Sequence, residues 1–323
     1  MSVPPTTEHM LKHVLEQLSQ HRSQYPPDIK SVPPLSVGVQ GPQGSGKTYS
    51  THHLHKALSA SPYHLKVVVI SIDDLYLPHK GLVSLAQSYP QNALWKGRGQ
   101  PGTHDIELGT EILMELERIN EHSTGTDDVE VRLPLFDKSL HFGEGDRVEG
   151  GGAIIKGPVD VVVLEGWCVG FYPISTDEID ERWEKPVSGL GDNFFERRGF
   201  RKEDVEAVNK KLEEYLVWWN FLDVFIQITP EESHPYIHIY KWRLQQEHHM
   251  KSLNGGRGMT DDQIESFIDR YIPGYVFFGD GVTQGRLSED ESRQYPPWKG
   301  RGLRIEINED REIVEKQPNW RGA

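Results

Sequence analysis

The eight residues Gly41-Pro42-Gln43-Gly44-Ser45-Gly46-Lys47-Thr48 limit the fold more than any other stretch of the chain. They follow a short apolar run, Leu35-Ser36-Val37-Gly38-Val39, and precede a polar segment with helical character from Tyr49 to Leu58. A Gly-x4-Gly-Lys-Ser/Thr pattern between a strand and a helix reads as a phosphate-binding loop. The glycines open backbone conformations closed to residues with a Cβ, so successive N–H groups can turn inward on a polyphosphate. The helix starting at Lys47-Thr48 adds the partial positive charge of its N-terminus. Lys47 can then reach the β- and γ-phosphates, and the Thr48 hydroxyl can bind Mg²⁺. This stretch alone predicts a nucleoside triphosphate site, with Gly41 to Thr48 as its cradle.

Composition narrows the class. At 323 residues the chain is long enough for a substantial core, in one large or two small domains. Its 49 acidic side chains outnumber 35 basic ones, giving a net charge of −14. That balance argues against nucleic acid or an anionic membrane as the main partner and implies that basic residues gather where phosphate is held. The single cysteine, Cys168, excludes an intrachain disulfide. No apolar stretch is long enough to span a bilayer, and Met1 to His9 has no leader character, so the cytosol is the expected compartment.

Strands and helices then alternate. Glu8 to Arg22 carries Leu11, Val14, Leu15 and Leu18 on one face and reads as an amphipathic helix lying across the sheet edge. Lys66 to Ile72 is a β-branched apolar run that suits a central parallel strand; it ends in Asp73-Asp74, beside the ligand crevice of an open sheet. Val159 to Leu164 is a second such run and ends in Glu165, the form of a Walker B acid that works on Mg²⁺ or its waters. Trp95 to Asp105 is a glycine-rich loop carrying Lys96, Arg98, His104 and Asp105, a donor and acceptor set fit for a small polar or anionic molecule. Helices are expected over 106–121, broken by Ser123 to Asp127, and over 203–220, 234–251 and 263–271. Further strands are expected at 129–134, 224–228 and 303–307, whereas Gly170 to Gly199 is broken by Pro and Gly. The alternation predicts an α/β fold with a mostly parallel sheet and helices on both faces.

Taken in order, these motifs resemble one branch of the P-loop kinases. The carriers are the phosphate loop, Ser71 to Tyr76, Pro101-Gly102-Thr103-His104-Asp105, Leu133 to Ser139, Leu164 to Trp167, Trp242 to Glu247, and Gly258 through Pro273. This is similar to the D-glycerate 3-kinase family, beside uridine kinase, phosphoribulokinase and bacterial pantothenate kinase. The resemblance implies a P-loop NTPase fold with a helical lid: an N-terminal helix and linker over 1–34, a kinase domain over 35–278 and a C-terminal extension over 279–323. Within the kinase domain it implies acceptor loops at 95–105 and 133–150 and a lid at 234–258. By position it implies Asp73 as catalytic base, with Asp74 a second candidate, Glu165 as the Walker B acid and Arg243 as a lid arginine on the transferring phosphate. Thr48, Glu165 and Asp73 fall at the metal, and Arg98, Thr103, His104, Asp105 and Lys138 in loops resembling the acceptor site.

The implied reaction moves the γ-phosphoryl of MgATP to a hydroxyl of a small metabolite, D-glycerate first among them. Another acceptor (a nucleoside, pantothenate or a sugar) and a catalytically weak ATP-binding protein remain open alternatives. A regulatory GTPase is disfavoured, because Asn209-Lys210 lacks the aspartate of a guanine reader and lies mid-helix. The expected partner is a small hydroxylated molecule, met by a monomer or homodimer.

Overall fold

The computed structural model describes residues 3–26, 29, 31–121, 130–232, 235–288 and 292–318. In chain order its main elements are α1 (Pro5–Ser23), β1 (Leu35–Gln40), α2 (Lys47–Ser59), β2 (Val67–Ser71), α3 (His79–Ser88), α4 (Ile106–Glu117) and β3 (Val161–Gly166). They continue as α5 (Thr176–Glu184), α6 (Lys202–Leu212), β4 (Val224–Pro230), α7 (Pro235–Leu253), α8 (Asp261–Asp269), α9 (Ile272–Phe278), β5 (Gly302–Ile307) and β6 (Ile313–Pro318). The strands form one six-stranded sheet in the order β6-β5-β4-β1-β3-β2. All neighbours run parallel except β6, which returns antiparallel on β5.

Alternation along the strands feeds two cores. Val161 and Val163 point with Val37, Val39 and Ile226 to one face, where Met10, Val14 and Leu18 of α1 and Leu54 and Leu58 of α2 cover them. Val162 and Leu164 point the other way with Phe225, into a core that includes Ile112, Leu116, Trp218 and Trp219. Gly38 permits the second packing, since a Cβ there would lie 2.6 Å from the Phe225 ring. Helix α1 therefore lies on a sheet face rather than across the sheet edge as its pattern was expected to place it. Its stripe is wide enough to reach β1, β4, β5 and β6 as well as α2.

Several expectations change. The apolar run ending at Ser71 is the outermost strand of the sheet, not a central one. The helix expected over 203–220 breaks after Leu212 into a 3₁₀ turn, Glu213–Tyr215, and a short helix, Leu216–Trp219. The Pro- and Gly-broken segment contains α5, whose start is fixed by a capping box between Ser175 and Glu178. The expected break at Ser123 to Asp127 lies outside the described residues. Among the described residues no helix is long and apolar enough to cross a membrane.

Register positions the chemistry. Ser71 of β2 pairs with Glu165 of β3, and Gln40 of β1 pairs with Gly166. The residues that follow these strands thus emerge side by side at one sheet edge, the carboxyl ends of parallel strands where α/β proteins bind ligands. Close packing of α4 on Trp218 supports this edge from beneath. A Cβ at Gly109 would lie 2.2 Å from the indole ring. Gly109→Ala is therefore expected to destabilise the fold by about 1–3 kcal/mol through overpacking, outweighing the gain in helix propensity of about 1 kcal/mol. Guanidinium unfolding should show a lowered midpoint, and a raised one would contradict this packing.

Candidate active site

The phosphate loop turns as its sequence demands. Gly44 and Gly46 have φ of 78° and 83°, and a Cβ on Gly44 would lie 2.6 Å from Cβ of Trp242. Conformation and space both require glycine at Gly44. The Ser45 amide donates to the Pro42 carbonyl (3.2 Å), and Gly46 forms the left-handed entry to α2. The Gln43 side chain accepts from the Tyr275 hydroxyl. The Gly44 carbonyl accepts from Nε of Arg311 at 2.7 Å. The loop opens on a cleft of about 1760 Å³.

Across that cleft Glu165 is buried and meets both functional residues of the loop. Its Oε2 pairs with the Lys47 ammonium, and its Oε1 lies 3.3 Å from Oγ1 of Thr48. Burial lowers the Lys47 ammonium to about 8, and the Asp73 carboxylate opposes that shift. Asp73 sits in a 3₁₀ turn directly after β2, pairs with Lys138 and accepts from the Tyr76 hydroxyl at 2.9 Å. Burial alone would raise its carboxyl. Lys138, by charge and by hydrogen bond, together with Lys47 and Tyr76, outweighs burial and holds the group below the usual carboxylate range. Asp74 does something else: its Oδ1 accepts from the Phe136 amide at 3.1 Å and anchors the second acceptor-side loop. Arg243, on α7, also lines the cleft, pairs with Glu247 at 2.7 Å and leaves Nη1 without a partner.

The residues of the acceptor loops divide. Arg98 and Lys138 line the cleft, and Arg98 donates to the carbonyls of Gly143 (2.6 Å) and Glu144, tying the two loops together. Thr103, His104 and Asp105 stand behind the wall, contrary to expectation. Thr103 is fully buried, accepting from the Gly99 amide and donating to the Gln100 carbonyl. His104 stacks on Tyr76 at 4.4 Å and bonds the Tyr215 hydroxyl at 2.7 Å. Burial drives its imidazole down to about 3, so it stays neutral. Asp105 caps α4 through the Leu108 amide and pairs with Arg147 at 2.9 Å, while Arg147 also holds the Tyr76 carbonyl. Backbone bonds from Leu77 to Thr103 and from Asp105 to Leu75 run this segment alongside the Asp73 turn. Their polarity serves that platform rather than a ligand.

Sequence reasoning missed Arg311, which also approaches Gln245 at 2.9 Å and lies over the Trp242 ring. It missed Tyr76 as well, although the spacing Asp73-x-x-Tyr76 in one tight turn was visible. Among the described residues no group of three or more His, Cys, Asp or Glu side chains is placed to hold a metal by itself.

No family model matches the chain. It is 38% identical over 250 residues to a probable ATP-dependent kinase of Saccharomyces cerevisiae, TDA10, an alignment covering 76% of this chain and 78% of that one. It is 30% identical to a chloroplastic D-glycerate 3-kinase of Arabidopsis thaliana, over 93% of this chain and 58% of that relative. The solved structure of a D-glycerate 3-kinase from Cryptococcus neoformans superposes with a TM-score of 0.85 at 38% identity, covering 98% of this chain and 99% of that one. With a phosphate loop facing Glu165 and Asp73 across one cleft, this chain belongs to the D-glycerate 3-kinase family of P-loop kinases, ATP-dependent phosphotransferases with an alcohol group as acceptor.

Proposed function

We propose that the protein transfers the γ-phosphoryl of ATP to the primary hydroxyl of D-glycerate, giving 3-phosphoglycerate and ADP. The observation that carries this reading is the Asp73 carboxylate, which lines the same cleft as the phosphate loop and is steered by Lys138 and Tyr76. Two relatives of this chain carry the name D-glycerate 3-kinase, which supports that acceptor.

In phosphoryl transfer the moving group spreads its charge over three oxygens, so positioning and neutralisation dominate. The loop amides, Lys47 and the free Nη1 of Arg243 supply the positive field. Asp73 orients the acceptor hydroxyl and takes its proton as the oxygen attacks phosphorus in line and the ADP oxygen leaves. The Thr48 hydroxyl and the Glu165 carboxylate are hard oxygen donors side by side, suited to Mg²⁺ with phosphate and water as its other ligands. Thr48 and Glu165 would hold that ion, and it would supply charge neutralisation to the phosphate beside them. Residues 35–278 carry the catalytic groups of the kinase unit, the segment after 279 braces the phosphate loop, and α7 with the turn after it acts as the lid that excludes water.

Incubation with ATP, Mg²⁺ and D-glycerate should release ADP and yield 3-phosphoglycerate by mass spectrometry. Turnover of other alcohols without D-glycerate would overturn the acceptor assignment. Lys47→Ala should remove most nucleotide binding, read by calorimetry. Asp73→Asn should leave ATP affinity near that of the parent and slow transfer by about 10² or more; parent rates would show that Asp73 is not the base. Removing Lys138 removes a stabiliser of the Asp73 anion, so the carboxyl titrates at higher pH. The acid limb of the kcat/KM profile should accordingly move to higher pH in Lys138→Met, and an unmoved limb would disconnect Lys138 from the base.

A further inference from the structure

Most cations that line the cleft are already paired within the chain, although Nη1 of Arg243 keeps no partner. Lys47 pairs with Glu165, Lys138 with Asp73 and Arg243 with Glu247, while Arg98 is engaged by the carbonyls of Gly143 and Glu144. Among the described residues two cations on the cleft wall, Lys96 and Arg270, have no such partner. Lys96 is exposed, whereas Arg270 is half-buried and held in place. Arg270 follows the last turn of α8, and its carbonyl accepts from the Gln100 side chain. Its guanidinium lies over the Phe267 ring at 5.9 Å, and Nη1 stands 3.5 Å from where a Cβ at Gly97 would be. The loop from Trp95 to Gly99 thus passes beside the guanidinium. In a chain with 49 acidic side chains, a half-buried arginine facing a cleft without a carboxylate partner is a place for an external anion.

The neighbour of Arg270 relates it to the reacting end of the cleft. Tyr271 also lines the wall, and its hydroxyl would lie 2.6 Å from a Cβ at Gly99. Burial lifts its phenol to about 12; Arg270 and Arg98 pull that value back, and Asp73 pushes it further up. Tyr271 therefore sits within the fields of the base and of both arginines. Asp73, Arg98 and Arg270 all line that one cleft, and Arg98 is already engaged by backbone carbonyls.

We propose that Arg270 binds the carboxylate of the acceptor and thereby sets the enzyme's preference for a hydroxy acid over a neutral alcohol. This rests on the acceptor reading given above. The planar guanidinium offers a two-pronged grip that an ammonium cannot reproduce, which favours it over Lys96 as the anchor. The competing anion is a phosphate of the nucleotide, and the two sources separate kinetically.

The test compares the parent protein with Arg270→Gln and Arg270→Lys, measuring ADP release with D-glycerate and with glycerol, and the KM of ATP. The expected result is a KM for D-glycerate raised between about 10- and 100-fold in Arg270→Gln. The KM for ATP should be unchanged and the selectivity for glycerate over glycerol should fall by a similar factor, with Arg270→Lys intermediate. Where Arg270→Gln fails to fold, judged by its thermal transition, Arg270→Lys carries the test, because it keeps the charge and loses the fork. A raised KM for ATP with that for glycerate unchanged would assign Arg270 to the nucleotide and overturn the proposal, as would unchanged constants throughout. The parent arm tests the acceptor reading separately. If the parent uses a different hydroxy acid, glycerate falls and Arg270 is judged on that acid; if it prefers glycerol, both readings fall.

Discussion

Everything at the catalytic edge depends on the pairing of β3 with β1 on one side and β2 on the other. That register sets Glu165 level with Ser71 and one residue short of the partner of Gln40, so the phosphate loop, the Walker acid and the Asp73 turn leave the sheet together. A single-residue slip of β3 would exchange the Val161 and Val163 face with that of Val162 and Leu164, turning both cores inside out. The two cores therefore police the site geometry. Glu165 in turn joins Lys47 and Thr48, so a buried carboxylate is never left with an uncompensated charge. Deleting one partner of such a buried pair typically costs about 3–5 kcal/mol.

The parts of this arrangement that were legible in the sequence are those encoded locally. A glycine pattern between a strand and a helix, and acids directly after apolar runs, report backbone conformation and position at a strand end. Strand order is not local. The run ending at Ser71 reads as buried because side-chain hydropathy reports covered faces, and it carries no trace of whether the backbone has a hydrogen-bonded neighbour on each edge. Helix α5 had a readable start, Ser175-x-x-Glu178, masked by the Pro and Gly around it. Thr103, His104 and Asp105 misled for a different reason. Polar residue types in a loop fit a ligand as well as they fit caps and backbone acceptors, and only the fold shows that the Asp73 turn uses them. Arg311 left no local signal, since a lone arginine between ordinary neighbours acquires meaning only from what folds against it, whereas Arg270 lay within the stretch Gly258 through Pro273 that carries the family resemblance, without a role of its own.

Distant chain ends meet at the phosphate loop. Arg311, in the turn between β5 and β6, holds the Gly44 carbonyl and reaches α7 through Gln245. The Trp242 indole donates to the Glu309 carbonyl in the same turn, and Gly44 packs on the Trp242 backbone. A carbonyl held by a guanidinium is fixed in orientation, so this contact holds the peptide unit after Gly44 in place. The segment after 279 thereby adds two strands to the sheet and fixes one flank of the loop. The loop and α7 share Trp242 and Arg311 as contacts with that turn.

The tuning of Asp73 indicates which kind of help it gives. A strong base would need its carboxyl raised toward neutrality, which burial by itself would provide. Lys138, Lys47 and Tyr76 reverse that shift, leaving an anion that is fully formed at neutral pH and only weakly basic. Tyr76 strengthens the point: burial and the adjacent Asp73 hold its phenol well above its ordinary range, so it stays protonated and donates to the carboxylate. In a loose phosphoryl-transfer transition state the attacking hydroxyl bears little negative charge until late. Under the role proposed for Asp73, orientation of that lone pair would matter more than early proton removal, and a fixed anion of low basicity would suit the task. The chain's net charge of −14 acts the other way at long range, but screening confines that repulsion to roughly 8 Å at physiological salt. Cations at contact distance in the cleft therefore outweigh the chain's long-range charge for an anion that enters it.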